Sequence, residues 1–368
     1  GFTSGMAKSA AVLYIFLLPN TGRIELLKLL QKEASISFIG SKSNEKEHYD
    51  YETNNITFIE VPVQKNNINL FKEVLTFIST IRILKKANLN SLLVYGVRSI
   101  PLMVFSAKIA GVNNIVCVIN GAGNIFRNNK KKYWILRAVF SPLLKIAFKF
   151  SKIIIFQNKE DLNLFVDKKM VNIHKASLVN GSGVNLNKFK FRKLPREFSF
   201  VMISRLSKEK GVYEFLHAAK KIRKEYPRVN IKLAGPIEDK ALERTIIEAN
   251  NNSVIEYIGV VQDVYPLLIN SSIFVLPSYF EGTPRSTLEA MAVGRPIITT
   301  DTPGCRSTVN GKNGILVKPQ NEKDLYLAMK RMISIDGLPN MALESRKLVE
   351  SKFNIKEINQ KIVNHLLE

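Results

Sequence analysis

Short aliphatic and β-branched runs alternate with helical stretches along this chain, stop at one polar segment, and then start again. Residues 11–18, 35–40, 56–61, 91–95, 114–119 and 152–157 read as strands, with helices expected at 24–32, 70–87 and 133–150. Strands separated by helical crossovers run parallel, and a parallel sheet needs apolar cover on both faces. Residues 185–197, polar, aperiodic and interrupted by Pro195, are expected to be a linker. Beyond them strands are expected at 198–204, 229–234, 254–258, 273–276, 296–300 and 314–317. The helices between and after them fall at 211–226, 240–250, 263–270, 284–293 and 322–335. The last thirty or so residues read as helix without a further strand. The fold class is therefore α/β: two doubly wound domains facing across a cleft, with ligands at the carboxyl ends of strands. The boundaries expected are 7–184, 198–335, and a helical segment 336–368 packing back toward the first domain.

Composition narrows the function classes. A length of 368 residues with 46% apolar and 23% charged side chains suits two globular domains. Two cysteines, Cys117 and Cys305, make no disulfide framework and fit a reducing compartment as core residues. No apolar run is long enough to span a bilayer. The opening Gly1-Phe-Thr-Ser-Gly is no signal peptide and reads as a cloning remnant ahead of Met6. A net charge of +23 points to a polyanionic partner, whether phosphorylated substrate, membrane surface or nucleic acid, or to a Lys-rich solvated surface. His48, His174, His217 and His365 are isolated, and neither a metal-ligand spacing nor a Gly-x-Ser-x-Gly nucleophile turn occurs.

Two segments carry chemistry. Ser204-Arg-Leu-Ser-Lys-Glu-Lys-Gly211 follows a strand and opens a helix, so Arg205 and Lys210 stand near a strand's carboxyl end. A guanidinium fork, an ammonium and a helix N-terminus together would neutralise a diphosphate; alternatively this is a charged surface turn. Further on, Phe280-Glu-Gly-Thr-Pro-Arg-Ser-Thr-Leu-Glu289 puts Glu281 in a Gly/Pro loop and Glu289 in the next helix. Thr283 is the expected N-cap and Pro284 the first helical residue, with Gly294 and Pro296 ending the helix. The amides of Arg285, Ser286 and Thr287 would then face an anion, and Glu289 would accept from a ribose diol. The structural alternative has Glu281 capping a neighbouring turn and Glu289 pairing with Arg285 at i, i+4.

Arg205 and Lys210 followed by Glu-x7-Glu resemble the donor site of the GT-B retaining glycosyltransferases of family 4. The stretches SRLSKEKG, KLAGP, YIG and FVLPSYFEGTPRSTLEAMAVGRPIITTDTPGCRSTVNGKNGILV are similar as well, from about residue 199 to 317. Within the family the wording resembles bacterial α-1,3-N-acetylgalactosaminyl- and galactosyltransferases that extend lipid-linked glycans of the O-antigen and N-glycan kind. The resemblance implies Arg205 and Lys210 on the donor diphosphate and Glu281 at the sugar hydroxyls, these three being catalytic. It also implies Glu289 on the ribose, the main chain of Ser286 and Thr287 on the β-phosphate, Ile258 at the strand end that meets the base, and Gly282 and Thr283 among the donor-binding residues. A UDP-sugar is the implied co-substrate, with no cofactor and no metal, in keeping with the lack of any Asp-x-Asp.

The first half resembles the family more loosely. Gly22, Asn120, Gly121 and Gly123 are the candidate acceptor or diphosphate loops, although relatives often place His-Gly or Glu-Gly-x-Gly where Asn120 stands. Between Arg127 and Lys152, lysines alternate with Tyr133, Trp134, Phe140, Phe148 and Phe150. Such a stretch suits an anionic membrane surface, or else a core helix with flanking lysines broken at Pro142. The resemblance implies a polyprenyl-diphosphate-linked saccharide as acceptor and a peripheral place on the cytoplasmic face of a bacterial membrane. Within the same fold a nucleotide-sugar epimerase or a transferase with a soluble acceptor stays open. In another class, the charge leaves open a polyanion-binding module, although no nucleic-acid recognition motif is present.

Overall fold

In the computed structural model of the chain, residues 9–13, 23–40, 56–61, 70–122, 126 and 131–368 are described. The chain divides into two units, Gly1–Gly181 with Lys356–Glu368, and Ser182–Ile355. In the first unit the elements are β1 (Ser9–Leu13), α1 (Arg23–Gln31), β2 (Ser35–Gly40), β3 (Thr57–Glu60), α2 (Leu70–Ala87) and β4 (Ser91–Tyr95). They continue with α3 (Ile100–Ile109), β5 (Asn114–Ile119), α4 (Lys131–Phe150), β6 (Ile153–Phe156), α5 (Lys159–Asp167) and β7 (Ala176–Leu178). The sheet order is β3-β2-β1-β4-β5-β6-β7, every pair parallel.

The side-chain alternation of β5 shows why both faces need cover. Ile115, Cys117 and Ile119 join α3, α4 and α5 in one core, while Val116 and Val118 join α1 in another. The second core is completed from the far end of the chain, by Ile358, Ile362, Val363 and Leu366. Each fully buried side chain of this kind stabilises the fold by about 1.5–3 kcal/mol.

The second unit contains β8 (Ser199–Ile203), α6 (Val212–Glu225), β9 (Asn230–Ala234), α7 (Lys240–Asn251), β10 (Glu256–Gly259), α8 (Tyr265–Ile269) and β11 (Ile273–Leu276). After these come α9 (Arg285–Val293), β12 (Ile297–Thr300), β13 (Gly314–Val317), α10 (Glu322–Ser334) and α11 (Leu338–Lys352). The terminal helix α12 (Ile355–Leu367) is the one that completes the core of the first unit. The six parallel strands of the second unit run β10-β9-β8-β11-β12-β13. In both sheets the chain winds outward one way and then jumps back, so strand order reverses between β1 and β4 and between β8 and β11. Such reversals open a crevice at the strands' carboxyl ends, because the loops on either side lead to opposite faces of the sheet.

Three elements were not foreseen. Helix α3 is apolar all round because it packs between α2 and α4, so it has no amphipathic period to read. The other two are α5, capped by Asn158, and the three-residue strand β7. The expected strand 11–18 begins earlier, at Ser9, and its later half lies outside the described residues. Residues 185–197 fall in the second unit. The buried Arg295 donates to the main-chain oxygens of Arg192, Lys193 and Ser271, and Arg346 donates to that of Phe189. Burial pulls the Arg295 pKa down to about 10, yet the guanidinium keeps its charge at neutral pH, where carbonyl dipoles supply its acceptors.

Candidate functional site

The two loops beside the β8/β11 reversal are joined to each other by main-chain hydrogen bonds. After β8 the chain makes a 3-10 turn at Lys208–Lys210, then turns into α6 through Gly211 at φ +76°. Gly211 faces the Pro277 carbonyl so closely that a Cβ would run into it, on top of the left-handed backbone. The Tyr279 amide donates to the Glu209 carbonyl at 2.8 Å, and the Ser278 hydroxyl bonds to the same carbonyl at 3.3 Å. The Tyr279 hydroxyl donates to Glu214 at 2.7 Å. Desolvation, and then the Glu214 carboxylate, push that phenol far above its ordinary range, so it stays a donor.

This stitching brings together residues seventy-one apart in sequence. Lys210 Nζ lies against the Glu281 carboxylate in a largely buried ion pair. The expectation that Glu281 serves a diphosphate-sugar site and the alternative that it caps a turn thus meet a third arrangement, in which it holds Lys210. Arg205 is directed elsewhere, donating to Glu238 at 3.0 Å with both groups about half exposed. Glu238 lies on the turn after β9 and was not among the candidates. Nothing in its neighbourhood sequence marks it, because its role comes from the parallel pairing of β8 with β9.

Helix α9 begins one residue later than expected. Pro284, with ψ 99°, occupies the cap position and its side chain makes no cap bond, which corrects the assignment of Thr283 as N-cap. A pyrrolidine cannot be the first helical residue at that ψ, so the helical turn starts at Arg285. The main-chain N–H groups of Ser286 and Thr287 therefore have no carbonyl behind them. The Thr283, Thr287 and Ser204 hydroxyl oxygens are buried without a partner among the described residues, a costly state that a polar ligand would relieve. Opposite the loop, Gly304 at φ +81° backs onto the Glu281 and Gly282 carbonyls, leaving no space for a side chain.

Glu289 lies a turn into α9, only 7% exposed, with its carboxylate 3.0 Å from Arg285 Nε. Burial raises its pKa above the usual carboxylate range, and Arg285 opposes that rise. The i, i+4 alternative is therefore the arrangement the chain adopts. At the adjoining strand ends, Ile258 is partly exposed on β10, and Tyr257 donates to the Gly235 carbonyl at 2.9 Å.

In the first unit, Asn120 and Gly121 follow β5, where the Ala122 amide donates to the buried Asp161 at 3.1 Å. Gly22 and Gly123 lie outside the described residues, as do residues 127–130. Helix α4 runs unbroken through Pro142. On its inner side Leu144, Ala147 and Phe148 are buried, but Trp134, Ile135, Val139, Leu143, Ile146 and Phe150 are exposed. Both cysteines are buried, and desolvation pushes Cys117 up to about 12. Among the described residues no group of three or more His, Cys, Asp or Glu is placed to hold a metal ion, and no helix is long and apolar enough to cross a membrane.

Comparison with known proteins places this geometry. Residues 197–334 match the family model of glycosyl transferases group 1. The chain is 29% identical to a Campylobacter jejuni N,N'-diacetylbacillosaminyl-diphospho-undecaprenol alpha-1,3-N-acetylgalactosaminyltransferase, over 70% of this chain and 72% of that one. It is 27% identical to an Escherichia coli UDP-Gal:alpha-D-GlcNAc-diphosphoundecaprenol alpha-1,3-galactosyltransferase, over 85% and 84%. The crystal structure of a Rickettsia africae glycosyltransferase superimposes with a TM-score of 0.78 at 18% identity, covering 97% of both chains. Residues 197–334 therefore form a glycosyl transferase group 1 domain around the β8/β11 crevice, and with its two doubly wound parallel sheets the chain has the GT-B fold of glycosyltransferases.

Proposed function

We propose that this enzyme moves a hexose or N-acetylhexosamine, with N-acetylgalactosamine the preferred sugar, from a UDP-sugar to a polyprenyl-diphosphate-linked saccharide. Retention of anomeric configuration and independence of metal are part of the proposal. The observation that carries it is the Lys210–Glu281 pair, which sets a cation and a carboxylate side by side at the reversal of a parallel sheet. On this reading the second unit binds the donor and the first binds the acceptor. Both relatives named above carry diphospho-undecaprenol acceptors in their names, and one carries a UDP-sugar donor.

Roles follow from chemistry. Arg205 would leave Glu238 for the donor diphosphate, and Lys210 with the Ser286 and Thr287 amides would take up the charge that develops on UDP. Gly282 and the Thr283 hydroxyl would border the β-phosphate, Glu281 would orient the sugar hydroxyls, Glu289 the ribose and Ile258 the base. In the retaining step the bond from sugar C1 to the β-phosphate oxygen breaks while the acceptor oxygen bonds to C1 on the same face. The acceptor's proton passes to the departing phosphate. Asn120, Gly121, Gly22 and Gly123 are the proposed acceptor loops.

The exposed face of α4, within the segment from Arg127 to Lys152, is proposed to rest on an anionic membrane on its cytoplasmic side. Trp134 is the sole tryptophan, so its emission reports on this face alone. Thermal-shift titration with a panel of UDP- and GDP-sugars, followed by transfer to a polyprenyl-diphosphate saccharide, tests the reaction. Stabilisation by GDP-sugars but not UDP-sugars, or conversion of a UDP-sugar with no acceptor present, would overturn it.

A further inference from the structure

Beside the bare face of α4 lies a pocket of about 460 Å³ that the donor site does not use. Its floor includes Phe148 and Met170, both buried, and its rim carries Lys145, Lys149, Lys169 and Lys175, with no carboxylate among the lining residues. Four cations around an apolar floor repel one another unless an anion joins them.

Lys175 is already committed. Its Nζ donates to the main-chain oxygens of Lys149 and Ser151, each at 2.8 Å, at the C-terminal end of α4. It therefore offsets the negative end of the helix dipole, which would otherwise offset the other three lysines. Lys145 and Lys149 are exposed, one turn apart, and form no ion pair among the described residues. Lys169 holds φ +54°, a left-handed backbone that usually selects glycine or asparagine, at the turn that closes the pocket's far side. Residues 135, 139, 143, 146 and 150 recur every three or four positions and so share one helix face, with Lys145 and Lys149 along its edge.

We propose that this pocket seats the phosphate of an anionic glycerophospholipid, with the apolar stripe of α4 entering the acyl layer beside it. The inference rests on the reading of α4 as a bilayer-facing helix and adds a discrete headgroup site to it. Charge selects the phosphate, and Lys145 and Lys149 of α4 with Lys169 from the turn after α5 supply three ammonium donors around the pocket. The apolar floor and the adjoining stripe select the lipid over a free anion, since hydrated inorganic phosphate gains nothing from Phe148 and Met170. A smeared electrostatic attraction would depend on how many lysines face the membrane. A headgroup site depends on which ones.

Co-sedimentation of the full chain with phosphatidylcholine vesicles, with and without phosphatidylglycerol, separates the two ideas, with Trp134 emission as a second readout. The Lys145→Gln/Lys149→Gln/Lys169→Gln variant is compared with Lys131→Gln/Lys152→Gln/Lys168→Gln, which removes equal charge from exposed lysines that do not line the pocket. Lys175 is left in place because it holds the end of α4, and melting temperatures verify that both variants are folded. The expected result is more than tenfold weaker binding to phosphatidylglycerol vesicles for the pocket variant and no more than about threefold for the control. Equal losses would overturn the headgroup site while leaving membrane docking intact. Failure of the unmodified protein to bind either vesicle, with no shift in Trp134 emission, would instead overturn the docking reading itself. Short-chain phosphatidylglycerol should compete with the vesicles where inorganic phosphate at the same concentration does not, and equal competition would remove the lipid as occupant.

Discussion

Helices α9 and α4 expose opposite parts. From Thr287 to Val293 every residue of α9 is buried, so the helix offers a ligand only its N-terminal end and the one carboxylate of Glu289. Helix α4 is twice as long and hides only part of its circumference, so it offers its side. The end of a helix presents oriented N–H groups whose direction is fixed by the sheet behind it, which suits a small, charged, precisely held ligand. The side of a helix presents area, which suits a partner that is broad and fluid. Electrostatics differ in the same sense. Around α9 each candidate cation already faces a carboxylate, as in Lys210–Glu281, Arg285–Glu289 and Arg205–Glu238. Along α4, Lys145 and Lys149 have none among the described residues.

If the donor site works through fixed charges, single substitutions there should act steeply and locally. Arg205→Ala is expected to lower transfer from a UDP-sugar by about 10²–10³-fold. Its exposed pair with Glu238 contributes only about 0–1 kcal/mol, so the melting temperature should barely move. Near-normal turnover in this variant would break the assignment of the β8 turn to the diphosphate.

Glu289→Gln sharpens the contrast by separating binding from stability. Loss of a charged hydrogen bond to the ribose should weaken UDP binding in calorimetry by roughly ten- to a hundredfold. The stability effect has the opposite sign. Since the folded-state pKa is raised, folded protein holds the proton more tightly than unfolded, and stability falls as pH climbs from the unfolded value toward the folded one. The unmodified protein should therefore lose stability across that interval relative to Glu289→Gln, and the ligand-free variant should melt no lower at neutral pH. A variant that melts much lower would mean that the Arg285 pair outweighs the desolvation of Glu289.

Along α4 the effects should be smaller and additive. Ile135→Ser with Val139→Ser is expected to weaken vesicle binding at least about tenfold, because each apolar side chain withdrawn from lipid forfeits roughly 1.5–3 kcal/mol at full burial. In solution both are exposed, so chemical denaturation should shift by under about 0.5 kcal/mol each. The smallest effect belongs to Tyr279→Phe, which removes only the bond to Glu214. A several-fold rise in KM for the donor, with kcat little changed, would show that this bond positions the Glu281 loop. An unchanged KM would leave the main-chain bond to Glu209 as the sufficient tether.

Much of this was legible from residue order. The strands β2, β4, β5, β11 and β13 begin and end where aliphatic and β-branched runs do. Gly294 stops α9 as its position demands, at φ +89°. Legibility failed where burial removes pattern. Helix α3 lost its period to burial on both sides, and Pro284 was placed inside α9 because proline suits the first turn, whereas its ψ puts it at the cap.

Sequence alone determined the parallel, doubly wound architecture and supplied the residues proposed for the donor site, because hydrophobic periodicity and a short motif are both local properties of the chain. Tertiary structure decided what those residues do to each other. That Lys210 meets Glu281, that Arg205 turns to Glu238, and that the Thr283, Thr287 and Ser204 hydroxyls find no partner among the described residues all follow from which strands lie side by side. The same holds for the lysine-rimmed pocket, whose four cations come from α4 and from the segment that follows α5. Charge acts through space, so spacing along the chain gives the inventory of a site and only the pairing of its strands and helices gives its distances.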